Sequence, residues 1–230
     1  ALKNLTESAG YGMTGFQGAN SIAVRQPCVH WSGKKALFSM AIGAPDNQGQ
    51  SQKYYWQIYE IPGIGEGENP VITKVANQPS NFNNVSPIYG TDERIIFTSD
   101  RPRKGLLHLY PLLDERFSFY CISGLWSLDP NTGDLFQMNI SPSGAFNPFI
   151  DSYGRVVFTR WDHLQRDQNA DKDVLGLNVK YGTFNYSDES ATAVQTTNRD
   201  EIFPEPEPIR RDLLHGPTLH GLTFNQFFPW

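Results

Sequence analysis

A proline preceded by a polar residue recurs at a nearly fixed interval, and this repeat constrains the fold more than any other feature of the chain. Gln26-Pro27, Ser86-Pro87 and Asn147-Pro148 stand 60 and 61 residues apart. Each is followed by a polar, Gly-containing stretch: Trp31-Ser32-Gly33, Gly90-Thr91-Asp92 and Ser152-Tyr153-Gly154. A basic residue stands seven positions after each proline (Lys34, Arg94, Arg155), and an apolar run then reaches Phe38, Phe97 or Phe158. Self-similarity at a fixed period marks a repeat architecture whose units bury their apolar surfaces against one another.

Each unit reads as short strands joined by turns. The proline is expected at the start of an innermost strand, where a missing N–H is tolerated. The Gly-containing stretch is a hairpin turn, and the following run, rich in Ile, Val and Phe, is a buried strand. Further strands are expected over 55–61, 70–75, 124–129 and 134–138, the last two separated by the turn Asp129-Pro130-Asn131-Thr132-Gly133. Leu2–Thr6 reads as the last strand of a preceding unit. Four short antiparallel strands per repeat make one propeller blade.

The expected fold is therefore all-β, a β-propeller of four-stranded antiparallel blades, incomplete at about three blades plus flanking strands. Blade units are placed at about 20–78, 80–141 and 143–205, with a further blade beginning over 220–230, where Phe224-Asn225-Gln226-Phe227 resembles Phe146-Asn147-Pro148-Phe149. Propellers close with about 4–8 blades, so remaining blades are expected from the same polypeptide or a partner chain. Units of 60 residues exceed the roughly 40–50 of common propeller repeats, and the excess falls in loops such as 43–53, 101–123 and 163–180.

Composition removes several alternatives. Charged residues are only 19 %, too few for a coiled coil. Five Trp, ten Tyr and fifteen Phe are too many to leave solvated in a disordered chain. The net charge is −5 with no dense Lys/Arg cluster, which disfavours nucleic acid and anionic membrane surfaces as partners. No run of about 18 apolar residues exists to span a membrane.

The second unit, Ser86-Pro87 through Arg94-Ile95-Ile96-Phe97-Thr98-Ser99-Asp100-Arg101 to Gly124-Leu125-Trp126-Ser127-Leu128-Asp129, Thr132-Gly133 and Met138-Asn139, resembles the repeat of TolB-type (PD40) β-propellers. Within that superfamily, Pro27–Lys35 and the long units look most like the propeller part of hydrazine synthase alpha-subunit-like proteins. The resemblance implies an exported bacterial protein, periplasmic or extracellular. It also implies c-type haem in the genuine enzyme, but no CxxCH motif occurs here, so haem chemistry transfers to no residue of this chain.

Candidate chemistry is sparse. Asp167, Asn169, Asp171 and Asp173 place oxygen-bearing side chains at alternate positions, a pattern able to wrap Ca²⁺. Lys172 stands where an EF-hand loop needs Gly and Asn178 where it needs Glu, and the plainer reading is a solvated loop. The histidines His30, His108, His163, His215 and His220 form no helical zinc pair. His30 is expected in a structural hydrogen bond. Cys28 and Cys121 are open to a disulfide or to two separate thiols. Asp100, Asp114, Glu115, Asp151, Asp162 and Glu189 are the acidic candidates for glycosidase-type work. The matched Asp100-Arg101 and Arg160-Trp161-Asp162 argue instead for repeated structural ion pairs. Trp31, Trp56, Trp126 and Trp161 are expected in packing between blades.

No catalytic residue and no cofactor-binding residue is assigned. The expected function is that of a non-catalytic binding or scaffold segment of a cell-envelope protein, contacting a protein or small ligand through its long rim loops. The alternative is the propeller portion of a larger hydrazine-synthase-like redox enzyme whose catalytic groups lie elsewhere.

Overall fold

The computed structural model describes residues 4–45, 47, 49, 52–101, 124–139, 144–164 and 224–230. Among the described residues eleven strands form three antiparallel sheets, and none of these closes into a barrel. The first sheet has the order β1-β2-β3-β4, from β1 (Ile22–Val29), β2 (Lys35–Ile42), β3 (Gln57–Pro62) and β4 (Thr73–Lys74). The second repeats it with β5 (Asn84–Tyr89), β6 (Ile95–Ser99), β7 (Gly124–Leu128) and β8 (Leu135–Gln137). The third contains β9 (Gly144–Ile150), β10 (Val156–Leu164) and β11 (Phe224–Pro229) in the order β11-β10-β9. The all-β fold expected from the repeat is present, and the two successive four-stranded meanders are consistent with partial propeller-like blades. The chain divides into two compact units: Ala1–Ser99 with Ser127–Leu135 and Pro148–Val156, and Asp100–Trp126 with Phe136–Asn147 and Val157–Trp230.

The three repeat prolines lie inside strands rather than at their starts. Each occupies the edge strand of its sheet, where a missing N–H removes no ladder bond. The residue before each is left-handed, with φ of 54° at Gln26, 53° at Ser86 and 49° at Asn147. In β1 the pairing register slips between Arg25 and Cys28, and in β5 between Val85 and Ile88. These are β-bulges, which take up one extra residue and bend an edge strand. Gln26 Oε1 accepts a 2.9 Å bond from the Ser86 backbone N–H, tying one bulge to its counterpart in the next repeat.

The expected hairpin turns form in all three repeats. His30 N–H donates to Lys35 O, Gly90 N–H to Arg94 O, and Asp151 N–H to Arg155 O. The first turn carries one residue more than the others, so the structural counterpart of Arg94 and Arg155 is Lys35, not Lys34. In the first two sheets this basic residue fastens the hairpin to the third strand. Lys35 Nζ lies 3.2 Å from Glu60 Oε1, while Arg94 donates to Ser127 Oγ at 2.7 Å and to Asp134 O at 2.9 Å. In the third repeat Arg155 turns back to Asp151 at 2.7 Å.

Central strands are buried on both faces, which is why they read as unbroken apolar runs. Leu37, Ile58 and Phe97 are fully buried, and Met40, Ile95 and Ile96 nearly so. On one face of the first sheet Ala36, Phe38, Met40, Tyr59 and Ile61 form a core cluster, supported by Tyr11, Ile22, Ile42, Ile64 and Ile72. Strand β4 is shorter than the expected 70–75. Beyond it the edge of β3 is satisfied by a side chain: Gln78 Oε1 accepts from Ile58 N–H at 2.7 Å and its Nε2 donates to Ile58 O at 2.8 Å.

The segment expected to open a further blade at 220–230 instead supplies β11, which pairs along β10 from Thr159↔Pro229 to Leu164↔Phe224. Among the described residues it lies next to β10 in the sheet of β9 and β10. Its apolar alternation suits either role: Trp161 stacks on Phe227 at 5.7 Å and lies 6.1 Å from Phe146. The proline that would place it first in a blade is absent, because Gln226 stands opposite Pro148 in the aligned motif.

Candidate functional site

In every sheet the longest stretch of sequence between described strands separates the second from the third. The connections are residues 43–56, 100–123 and 165–223, whereas the first and second strands are joined by tight turns. Each sheet therefore has a short-turn end and a long-connection end. Residues 102–123 and 165–223 lie outside the described residues.

At the long-connection end of the first sheet a cleft of about 420 Å³ opens beside β2 and β3. Buried Met40 and Tyr59 and half-buried Ile42 give it an apolar wall. Tyr54 and Tyr55, from the segment entering β3, add two further rings. Gly43 leaves β2 with φ 110°, and a Cβ there would overlap the Tyr54 ring, so the glycine permits this close approach. Burial pushes the Tyr59 phenol up, and the neighbouring Tyr11 adds to the shift, so Tyr59 is a neutral hydroxyl at ordinary pH. The exposed lining residues include Lys53 and Lys74, and no Asp or Glu among the described residues lines the cleft.

Gln57 also lines it and is 6 % exposed. Its Nε2 donates to three carbonyls, Trp56 O at 2.9 Å, Pro79 O at 3.2 Å and Phe82 O at 2.9 Å. Those three acceptors fix which end of the amide is nitrogen. Among the described residues Gln57 Oε1 is buried with no hydrogen-bond partner, a state that costs about 1–3 kcal/mol unless something donates to it.

A second polar cluster sits at the short-turn end, between the first hairpin and the β5–β6 turn. His30 is buried; Ser32 N–H donates to its Nδ1 at 3.1 Å, which leaves Nε2 to donate to Glu93 Oε1 at 3.1 Å. Lys35 Nζ reaches Glu60 at 3.2 Å and Glu93 at 3.5 Å. Tyr89 OH donates to Glu60 Oε1 at 3.0 Å, and burial followed by the Glu60 charge pushes its phenol far up. The His30 bond, helped by Lys35, holds the Glu93 carboxyl below the usual range. Burial raises the Cys28 thiol. Every charge here has a partner, and the arrangement is that of a clamp; His30 has the structural role expected of it.

The acidic candidates do not converge among the described residues. Asp151 accepts from Tyr153 N–H and Arg155 N–H, both at 2.9 Å, and from the Arg155 guanidinium, so it is a turn cap with a depressed carboxyl. Asp129 caps the β7–β8 turn in the same way through Asn131 and Thr132. Arg101 lies 5.0 Å over the Trp126 ring and Arg160 4.4 Å over Trp230, so these matched arginines meet aromatic faces. Of the tryptophans expected in packing, Trp126 is buried while Trp31 is 62 % exposed. Asp114, Glu115, Glu189, Cys121, His108, His215 and His220 lie outside the described residues, as does the calcium run Asp167, Asn169, Asp171 and Asp173. Nothing is described of the Asp162 or His163 side chains. Among the described residues no group of three or more His, Cys, Asp or Glu is placed to hold a metal ion, and no helix is long and apolar enough to cross a membrane.

Sequence reasoning named the 43–53 loop but missed Gln57, Tyr59 and Lys74. The Lys53-Tyr54-Tyr55-Trp56 run was the available signal; an orphaned amide oxygen leaves none.

No family model matches the chain, and no curated protein matches it. Among solved structures it is similar to Kuenenia stuttgartiensis hydrazine synthase, with 18 % identity and a TM-score of 0.40 over 60 % of this chain. The chain spans 22 % of the length of that protein. The likeness is a distant one of fold.

Proposed function

We propose that the chain is a binding segment of an exported cell-envelope β-propeller of TolB-like type, and that it engages a small ligand or protein at the long-connection end of its sheets. The observation that carries this reading is the cleft that opens beside β2 and β3 at the end of the first sheet where the 43–56 connection lies. Loops on a rigid sheet scaffold are where binding residues concentrate. Remaining blades would come from the same polypeptide or a partner chain. The sequence of Asp167, Asn169, Asp171 and Asp173 supports Ca²⁺ as a loop-ordering ion in the same account, to be tested by a fall in melting temperature on chelation.

The test is a thermal-shift screen of the full-length protein against neutral sugars, sugar acids, amino acids, nucleotides and short peptides. Hits should be lost in Tyr54→Ala, at the long-connection end, and kept in Trp31→Ala, at the short-turn end. The reverse pattern would overturn the reading. The Pro27–Lys35 resemblance favours a second reading, a propeller portion of a larger redox enzyme, and a c-type haem absorbance spectrum in the full-length protein would support it.

A further inference from the structure

The repeat sets a covered strand in the second sheet against an open one in the first. Val29 stands opposite Ala36 in the β1–β2 ladder, and Tyr89 opposite Ile95 in the β5–β6 ladder. Each is the last pair before its hairpin turn, so Val29 and Tyr89 are equivalent positions. Tyr89 is 4 % exposed because the first sheet covers it: its hydroxyl reaches Glu60 at 3.0 Å, Lys35 Nζ lies 4.8 Å over its ring, and the His30 ring meets it edge-on at 4.7 Å. Val29 is 59 % exposed. The contrast runs along the strand. All of β5 except Val85 is buried, with β5 seated against β1, β2 and β3, whereas no residue of β1 is buried. Ile22, Val24 and Val29 stand opposite Ile42, Met40 and Ala36, and so share the face of the core cluster of the first sheet. Tyr11 packs on that cluster, yet Val24 stays 48 % exposed, while its counterpart Asn84 is fully buried. Scattered exposed valines need no explanation, but two on one face of a strand whose counterpart is seated on a sheet mark an interaction surface.

We propose that the Ile22, Val24 and Val29 face of β1 is the docking surface for a further antiparallel sheet of the same polypeptide, seated on β1 as the first sheet is seated on β5. The sheet that covers β5 is its immediate neighbour in the chain, and the same relation makes the same polypeptide the source of the cover for β1. The partner face is apolar. Val29 has no hydroxyl to meet a carboxylate of the kind Glu60 offers Tyr89, and Val24 stands where the second repeat has the polar Asn84. A second copy cannot offer its own first sheet, because that seat is already filled by its β5. The proposal rests on the propeller reading above, and is independent of which end of the sheets takes the ligand.

Thiol labelling of the full-length protein tests it, in a Cys28→Ser background carrying Val24→Cys, Val29→Cys or the control Val71→Cys. Val71 is 60 % exposed, as Val29 is, and lies outside β1. Each variant is first checked for its fold by far-UV circular dichroism, and the iodoacetamide label is located by peptide mass spectrometry. Labelling at positions 24 and 29 is expected to be at least about ten-fold slower than at position 71, because a covered thiol reacts only when its cover opens. The protection should survive dilution, in a protein that is monomeric by light scattering. Equal rates at the three positions would overturn the proposal. Protection that is lost on dilution, or is found only in a complex, would also overturn it, since the cover would then be a second copy or a separate chain. Neither result changes the outcome of the ligand screen with Tyr54→Ala, so the binding reading stands or falls separately.

Discussion

His30 Nε2 lies 3.1 Å from Glu93 Oε1, joining the first hairpin of one repeat to the equivalent turn of the next. The two residues are 63 positions apart, close to the repeat length, and Glu93 holds a left-handed φ of 63° to reach its partner. The carboxyl is held below its ordinary value by the His30 bond and then by Lys35. A depressed folded-state carboxyl adds stability that is complete above the unfolded value, about 4.3 for Glu, and is lost as pH falls through the folded value. The melting temperature should therefore fall below about pH 4.5, and fall less steeply in Glu93→Gln. Coincident slopes for the two proteins would remove Glu93 from the account.

Arg94 fastens the β5–β6 hairpin to the third strand of its sheet and to the turn that leads into the fourth. It is 17 % exposed and bonds Ser127 Oγ, Ser127 O and Asp134 O. Arg94→Lys keeps the charge and loses the forked geometry, and should cost about 1–3 kcal/mol by denaturant melting. A cost near zero would mean the guanidinium bonds are replaced by water.

At the bulge, Gln26→Ala removes the acceptor for Ser86 N–H and should destabilise by about 1 kcal/mol. Gln26→Gly loses the same bond but relieves the left-handed φ of 54°, so it should cost less than alanine. The opposite ranking would show that the backbone is not strained there.

These details mark the boundary of what a sequence states. The recurring polar-Pro pairs, the buried runs through Phe38, Phe97 and Phe158 and the three turns were legible because each depends on neighbours in sequence. The extra residue in the first turn was not, so Lys34 stood in for Lys35 until hydrogen bonds aligned the hairpins. Prolines inside strands follow from bulges, which composition does not encode. The role of Phe224–Pro229 depends on a pairing across 59 intervening residues, from 165 to 223, and an alternating aromatic pattern fits a third strand as well as a first. The cleft needed Gly43, Tyr54, Gln57 and Lys74 to meet from separate segments.

Gly43→Ala should move the Tyr54 ring out of its place beside β2. The expected result is weakened ligand binding with a loss of about 1 kcal/mol or more in stability, since the left-handed φ also penalises alanine. Unchanged binding in this variant would mean Tyr54 does not shape the cleft.

The central claim is that the long-connection end of the sheets is the binding end. Hydrogen exchange of the full-length protein, measured with and without the small molecule that raises its melting temperature most, tests this directly. Added protection is predicted in residues 43–57 and 74–80. Protection concentrated in 30–35, 90–94 and 151–155, at the short-turn end, would contradict it.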